Sequence, residues 1–136
     1  MEFMKTMAIA ASGLRAQAGR MRIISENIAN ADSTPTRPGG DPYRRKMPTF
    51  VSEFNRELDA RVVDMGKVQP DNSEFRVKYE PGHPAADANG YVKYPNVNAL
   101  VEMTDMREAQ RSYEANVNVI SATRRMLQRT IDILKA

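Results

Sequence analysis

Apolar residues recur at alternating intervals of four and three along the first thirty or so residues of the chain. This spacing places their side chains on one face of an α-helix and is typical of a helix that packs against another helix. Gly13 and Gly19 each cost such a helix roughly 1 kcal/mol relative to alanine, so we expect a close neighbour to support it. The stripe consists of Phe3, Met7, Ala10, Leu14, Gln17, Met21, Ile24, Ile28 and Ala31.

The last forty or so residues of the chain show the same alternation, which predicts a second long helix. A further apolar line through Val119, Met126 and Ile133 widens its apolar face. We expect Asn98 to cap the beginning of this helix, because an asparagine side chain can accept a hydrogen bond from the exposed N–H groups there. The stripe runs through Met103, Met106, Gln110, Tyr113, Val117, Ile120, Arg124, Leu127, Ile131 and Leu134.

All eight prolines lie between Pro35 and Pro95. Proline interrupts helices, so its absence from both ends permits two long helices that are each other's nearest partners within the chain. We therefore predict a mainly α fold with a small β-rich insertion, in which the terminal helices pair as an antiparallel, coiled-coil-like hairpin. Residues 1–34 and 96–136 would form a discontinuous helical core, and residues 35–95 a central, turn-rich outer segment.

The central segment contains three stretches that suit strands. Residues 43–54, 60–72 and 75–80 are rich in aromatic and β-branched side chains. The pair Asn89-Gly90 precedes the run YVKY and is a hairpin signal. We expect these strands to form one small antiparallel sheet.

The residues that most often carry chemistry are sparse. His83 is the one histidine and lies between Gly82 and Pro84, which predicts a turn or interface residue rather than a catalytic base. The run ADANG resembles part of a calcium loop, but carboxylates are missing at both ends of that loop. Cysteine is absent. We therefore predict no catalytic residues, no metal site and no cofactor.

The charge of the chain indicates neither nucleic acid nor a membrane as a partner. Its formal net charge is +3, and acidic residues lie near the basic clusters Arg44–Lys46 and Arg124–Arg125. These clusters suggest solvated faces or salt bridges at a protein interface. No apolar run approaches the roughly 18 residues of a membrane span. The apolar stretch after Lys5 is short and interrupted by polar residues, so we expect no cleaved signal peptide.

Two asparagines, Asn27 and Asn30, lie one turn apart where the first helix ends. One interpretation gives them ordinary hydrogen bonds to the nearby backbone, as is common for asparagine at helix ends. The other places them in a hydrogen-bond network between subunits. The local sequence leaves both open.

Three separated motifs resemble one protein family. The segments ASGLRAQAGRMRIISENIANADST (11–34) and EMTDMREAQRSYEANVNVISATRRML (102–127) resemble the terminal signatures of flagellar rod and hook proteins. The stretch YEPGHPAADANGYVKYPNVN (79–98) narrows the resemblance to the proximal-rod subunits of that family. The loop 38–46 also fits, and residues 55–75 are the least recognisable part.

The resemblance implies a structural, non-enzymatic subunit of the bacterial flagellar basal-body rod. That rod is a periplasm-spanning tubular drive shaft, and it transmits torque from motor to hook. The terminal helices would line the tube, and the chain would leave the cytoplasm through the flagellar type III export apparatus. Implied partners are other rod proteins, the membrane-ring protein, the rod adaptor and further copies of the chain, without nucleic acid or membrane insertion. The alternatives are a soluble coiled-coil adaptor and, less well supported, an RNA-binding module.

We expect the apolar stripes of the two helices to form the central assembly seam. Within it, Asn27 and Asn30 would fix the turn from the core helix to the outer segment. The candidate assembly residues are Leu14, Met21, Ile24, Asn27, Ile28, Asn30, Tyr113, Val117, Ile120, Leu127 and Ile131.

Overall fold

The structure, a computed structural model, describes residues 2–135. Within these residues, two long helices flank a central region of short antiparallel strands along the chain, which confirms the predicted fold class. In chain order the elements are α1 (Glu2–Ala29), β1 (Lys46–Met47), β2 (Phe50–Asn55), β3 (Ala60–Met65), β4 (Gln69–Pro70), β5 (Arg76–Tyr79), β6 (Tyr91–Tyr94) and α2 (Ala99–Lys135).

The beginning of α2 is capped as the sequence predicts. The Oδ1 atom of Asn98 accepts hydrogen bonds from the backbone N–H groups of Leu100, at 3.1 Å, and Val101, at 3.5 Å. These bonds satisfy donors that have no partner inside the helix. From this cap α2 continues for 37 residues, which corresponds to a length of about 55 Å.

The strands form three separate two-stranded ribbons, so the prediction of one small sheet is wrong. The antiparallel pairs are β1 with β4, β2 with β3, and β5 with β6. Pro48 lies between β1 and β2 and has no N–H to donate, so the ladder is interrupted there. Beside the interruption, the Thr49 hydroxyl donates to the Lys67 carbonyl at 2.8 Å.

The loop between β5 and β6 closes at the Asn89-Gly90 pair. The Asp87 carboxylate accepts hydrogen bonds from the N–H groups of Asn89 and Tyr91, both at 2.9 Å. Gly90 has a φ of +86°, a conformation that disfavours residues with a Cβ. The hairpin signal is therefore correct in position, although the pair closes a longer loop rather than forming a two-residue turn.

The described chain divides into two compact units, and each contains part of α1, part of α2 and part of the middle. We call them the helix-end unit and the central unit. The helix-end unit comprises the chain up to Met21, Thr49–Lys67, and the chain from Arg107 onward. The central unit comprises Arg22–Pro48 and Val68–Met106. The division predicted from the prolines separates residues 35–95 from the two ends of the chain. Its boundaries differ from those of the two compact units, and it stays a prediction.

In the helix-end unit, α1 and α2 run antiparallel at close range. Arg20 pairs with Glu108 at 3.5 Å, and Gly13 lies against Asn116, further along α2. A Cβ atom added at Gly13 would lie 2.8 Å from the Asn116 amide nitrogen, so the glycine permits the approach. The antiparallel pairing and the close neighbour expected at the glycines are both confirmed in this unit.

The β2–β3 ribbon also packs against α1 in the helix-end unit. The Ser12 hydroxyl accepts a hydrogen bond from the backbone N–H of Val63 at 3.3 Å. Gly19 makes room for the Met65 side chain, whose sulfur would clash with a Cβ atom at that position. The second glycine of α1 therefore accommodates a strand, whereas the first accommodates a helix.

Candidate assembly site

The inward line of α2 consists of small and polar residues. Glu102, Ala109 and Thr123 are buried, and Asn116 is partly buried. These four positions are spaced seven residues apart, which is nearly two helical turns, so their side chains share one face. Each position of this inward line is followed directly by a position of the stripe predicted from the sequence. Those stripe positions are Met103, Gln110, Val117 and Arg124.

The large apolar residues of α2 are therefore mostly open to solvent. Leu134 is 80% exposed and Ile133 is 74% exposed. Burying apolar surface is worth about 25 cal/mol per Å², so a face of this kind favours association with other chains. Its exposed members are Leu100, Val101, Met103, Val117, Val119, Met126, Ile131, Ile133 and Leu134.

The predicted assembly residues fall into three classes of burial within the chain. Ile24 and Asn27 are buried, whereas Val117 is 39% and Ile131 is 37% exposed. Their membership of an assembly interface stays a prediction, because burial within one chain reports on that chain alone. The partly buried class contains Leu14, Met21, Ile28, Asn30, Tyr113, Ile120 and Leu127.

In the central unit, the Asn27 side chain holds the backbone of the central segment. Its Nδ2 donates to the Lys46 carbonyl at 2.8 Å, and its Oδ1 accepts from the Lys46 N–H at 3.0 Å. The Tyr43 hydroxyl donates to the same Oδ1 at 2.6 Å. Asn27 is fully buried. Its side-chain amide pairs with the backbone N–H and C=O groups of Lys46 in β1, as the backbone of a neighbouring strand would.

The two asparagines have different roles in the chain. Asn30 donates to the Glu26 carbonyl at 2.8 Å, which is the local bonding expected at a helix end. Asn27 bonds to residues 16 and 19 positions further along, and its Nδ2 lies 3.5 Å from the Glu102 carboxylate. This geometry fits the hypothesis that Asn27 fixes the turn after α1. A role for Asn27 between subunits stays a prediction.

Arg45 extends this network to the first turns of α2. Its Nε donates to Glu102, whose side chain is 1% exposed, and its Nη1 lies 3.3 Å from Asp71 Oδ2. Burial pushes the pKa of Arg45 down, but hydrogen bonds and charge from Glu102, and then from Asp71, outweigh burial and raise it. The guanidinium therefore remains charged among three carboxylates, because Asp105 Oδ2 also lies 3.8 Å from its Nη2.

Asn96 completes the network on the side of the central segment. Its Oδ1 accepts from the Arg45 N–H at 2.8 Å, and its Nδ2 donates to the Asp71 carbonyl at 2.9 Å and the Ser73 carbonyl at 3.2 Å. Hydrogen bonds from Ser73, and then from Arg45, lower the pKa of the Asp71 carboxyl. We call the six residues with these contacts the polar network: Asn27, Tyr43, Arg45, Asp71, Asn96 and Glu102.

Arg76 connects the segment after α1 to the β5–β6 ribbon through hydrogen bonds of its guanidinium group. Its Nη2 donates to the Ala31 carbonyl at 2.8 Å, and its Nε donates to the Pro95 carbonyl at 3.1 Å. The guanidinium also lies 5.9 Å from the centre of the Tyr94 ring. Charged donors on backbone carbonyls form strong hydrogen bonds, so Arg76 restrains the chain where α1 ends.

Sequence reasoning missed most of the polar network. The sequence predicts a solvated face or a salt bridge at a protein interface for Arg45, whereas its partners Glu102 and Asp71 lie within the chain. The sequence signal for this site is that Glu102, Ala109, Asn116 and Thr123 lie at intervals of seven residues. When small and polar residues share one seven-residue repeat along a helix, that side of the helix allows another element to approach closely.

His83, the one histidine, has local backbone partners, and the described residues hold no metal-ligand cluster. His83 lies in a turn, where its Nδ1 accepts from the Ala85 N–H and its own N–H donates to the Glu80 carbonyl, both at 3.0 Å. No group of three or more acidic or histidine side chains within residues 2–135 is arranged to hold a metal ion. Over the same range, neither helix is apolar enough to cross a bilayer.

Comparison with family models matches both ends of the chain. The model described as "Flagella basal body rod protein" matches residues 7–35. The model described as "Flagellar basal body rod FlgEFG protein C-terminal" matches residues 88–133. The first match covers most of α1 and the turn that follows it, and the second covers β6 and nearly all of α2.

Curated relatives match almost the whole chain. The chain is 56% identical over 128 residues to flagellar basal-body rod protein FlgC of Agrobacterium fabrum, covering 94% of this chain and 92% of the relative. It is 38% identical to FlgC of Salmonella typhimurium, covering 98% of each chain. It is 39% identical to FlgC of Bacillus subtilis, covering 96% of this chain and 97% of the relative.

Proposed function

Because the chain belongs to the FlgC family of flagellar basal-body rod proteins, we propose that it is a structural subunit of the proximal rod. In this role it assembles into the tubular shaft that carries torque from the motor to the hook. The observation that carries the assembly mechanism is the exposure of most large apolar side chains of α2, on both sides of its inward line. A helix with such a face is stabilised when neighbouring subunits cover it.

The mechanical role follows from side-by-side packing of long helices. A helix of about 55 Å can contact several neighbours along a tube. Packed interfaces deform little, so many interlocked side chains resist shear better than a few polar contacts do. Within each subunit, the polar network holds the central segment to the end of α1 and the beginning of α2, which preserves the subunit's shape under load.

The remaining parts of the proposal rest on the family. Its partners are further copies of itself, other rod proteins, the membrane-ring protein and the rod adaptor. It reaches the periplasm through the flagellar type III export apparatus, without a cleaved signal peptide. It has no enzymatic activity, a view supported by the structural relatives and by the engagement of His83 in a turn.

A charge on the exposed face of α2 tests the assembly mechanism. Val117→Asp places a carboxylate at a position that is open in the isolated chain, so we expect the fold to persist and rod assembly to fail. The matched control is Asn118→Asp, which adds the same charge at the adjacent exposed position of the same helix. Measurements are swimming, the amount of chain in purified basal bodies, and the circular dichroism of the purified variants.

Two results would count against this proposal. Normal swimming and normal incorporation of the Val117→Asp chain would remove this face from the assembly interface. Full motility of a strain that lacks the chain would remove the rod function itself, and would favour the coiled-coil adaptor. Salt-sensitive binding of the purified chain to RNA would instead favour the RNA-binding module.

A further inference from the structure

A groove in the central unit combines an apolar floor with basic walls. Its volume is about 650 Å³, and Ile23, Val68 and Pro70 form its apolar part. Val68 is 43% exposed, whereas Ile23 is almost completely buried. A groove of this size accommodates a few side chains rather than a folded domain.

The walls of the groove carry more positive than negative charge. Three cations, Arg22, Arg44 and Lys46, line it with a single carboxylate, that of Glu26. Glu26 pairs with Lys46 at 3.2 Å. The Arg44 guanidinium donates to the carbonyls of residues 71 and 73, which leaves its charge without a carboxylate in those contacts. The groove therefore favours an occupant that carries both an apolar group and carboxylates.

The turn of the β2–β3 ribbon has the complementary composition. Between residues 53 and 59 it carries three carboxylates and one arginine, and Phe54 is 54% exposed. The Asn55 Oδ1 accepts from the N–H groups of Glu57, at 2.9 Å, and Leu58, at 3.2 Å. These bonds order the turn before it binds anything, which lowers the entropic cost of docking. We call residues 53–59 the acidic turn.

We propose that the acidic turn of one copy of this chain docks into the groove of a second copy. Phe54 packs against the apolar floor, and the Glu53 and Glu57 carboxylates face the three cations, whereas the Asp59 carboxylate lies 3.8 Å from Lys5 of its own chain. The three-to-one ratio of acidic to basic side chains in the turn mirrors the three-to-one ratio of basic to acidic side chains in the groove. The inference rests on the proposed function, because a shaft built from subunits brings copies of the chain together.

The absence of cysteine from the chain permits a direct cross-linking test. One tagged copy carries Arg56→Cys in the acidic turn, and a differently tagged copy carries Val68→Cys, at a groove position that is 43% exposed. Basal bodies are purified from cells that make both copies, oxidised, and examined for the mixed dimer. The matched control replaces Val68→Cys by Val77→Cys, a position of the central unit that is 55% exposed.

The expected result is about tenfold more mixed dimer with Val68→Cys than with Val77→Cys, because docking raises the local thiol concentration. Arg22→Glu in the groove copy should reduce the dimer about fivefold, and Glu57→Arg in the turn copy should restore it. Arg15→Glu, an exposed reversal on the same helix, should leave the yield unchanged.

The outcomes separate this inference from the proposed function. If both copies are present in basal bodies but the Val68→Cys dimer does not exceed the Val77→Cys control, the docking is wrong and the rod function stands. A dimer whose yield is unchanged by Arg22→Glu also contradicts docking in this groove, as does a cross-link from Val68→Cys to another rod protein alone. If the chain is missing from basal bodies, the rod function fails and the inference fails with it.

Discussion

The two compact units pack the same two helices by different means. In the central unit, Asn27 and Glu102 are almost completely buried and are bonded to groups of the same chain. In the helix-end unit, the buried positions are small residues such as Ala10, Ala16 and Ala109, and the large apolar residues of α2 lie outside. The central unit pairs its buried polar groups within the chain, whereas the helix-end unit leaves most of its large apolar α2 side chains open to solvent.

This difference suggests where the stability of the isolated chain resides. A fully satisfied polar network rigidifies the elements that it joins, because breaking any part leaves buried groups unpaired. A seam of alanine and glycine buries little apolar surface, and ordering the backbone costs roughly 1–2 kcal/mol per residue. We therefore expect the central unit to be stable by itself and the helix-end unit to gain stability on assembly.

The largest effect should come from removing the buried carboxylate of the central unit. Glu102→Ala leaves the Arg45 guanidinium partly buried without its main partner, and such a loss typically costs about 3–5 kcal/mol. The matched change in the helix-end unit is Glu108→Ala, which breaks the pair with Arg20 but removes a side chain that is 68% exposed. That variant should lose less than about 1 kcal/mol.

Urea unfolding of the purified chain measures both changes in the free energy of unfolding. Circular dichroism and the exposure of aromatic side chains should be followed together, since two units can unfold separately. Equal losses for the two variants would show that the buried network contributes no more than a surface ion pair. The contrast between the units would then have no energetic basis.

Hydrogen exchange should show an intermediate effect. In the dilute monomer, we expect amides of α1 before residue 22 and of α2 after residue 106 to exchange about a hundredfold faster than those at residues 23–27. In purified rods the difference should largely disappear, because neighbours then cover the apolar face. Uniform protection of both helices in a verified monomer would contradict coupled folding and would indicate a self-contained helical bundle.

The smallest effect concerns the close approach of Gly13 and Asn116. Gly13→Ala gains roughly 1 kcal/mol of helix propensity but places a Cβ atom against the Asn116 amide, so the net change should be near zero. In an Asn116→Ala background the same substitution should stabilise the chain by roughly 1 kcal/mol. A double-mutant cycle by urea unfolding measures this coupling. Identical effects in both backgrounds would show that the two helices do not approach closely there in solution.

Local features of the sequence determined the elements and the class of protein. The Asn98 cap, the proline-free ends and the β-branched stretches act on neighbouring backbone, so they predicted α2, α1 and the strands before any packing was known. The motifs at both ends predicted the rod family, which the relatives confirm. The scarcity of reactive side chains also directed the interpretation towards an assembling subunit.

The tertiary structure decided which line of α2 faces inward and what Asn27 binds. The lines through Glu102 and through Met103 differ by one residue, or about 100° around the helix, and both repeat every seven residues. A periodicity argument favours the more apolar line, but close approach of two elements favours the line with small and polar side chains. The partners of Asn27 lie up to 75 positions away along the chain, and contacts over such separations are set by packing rather than by local sequence.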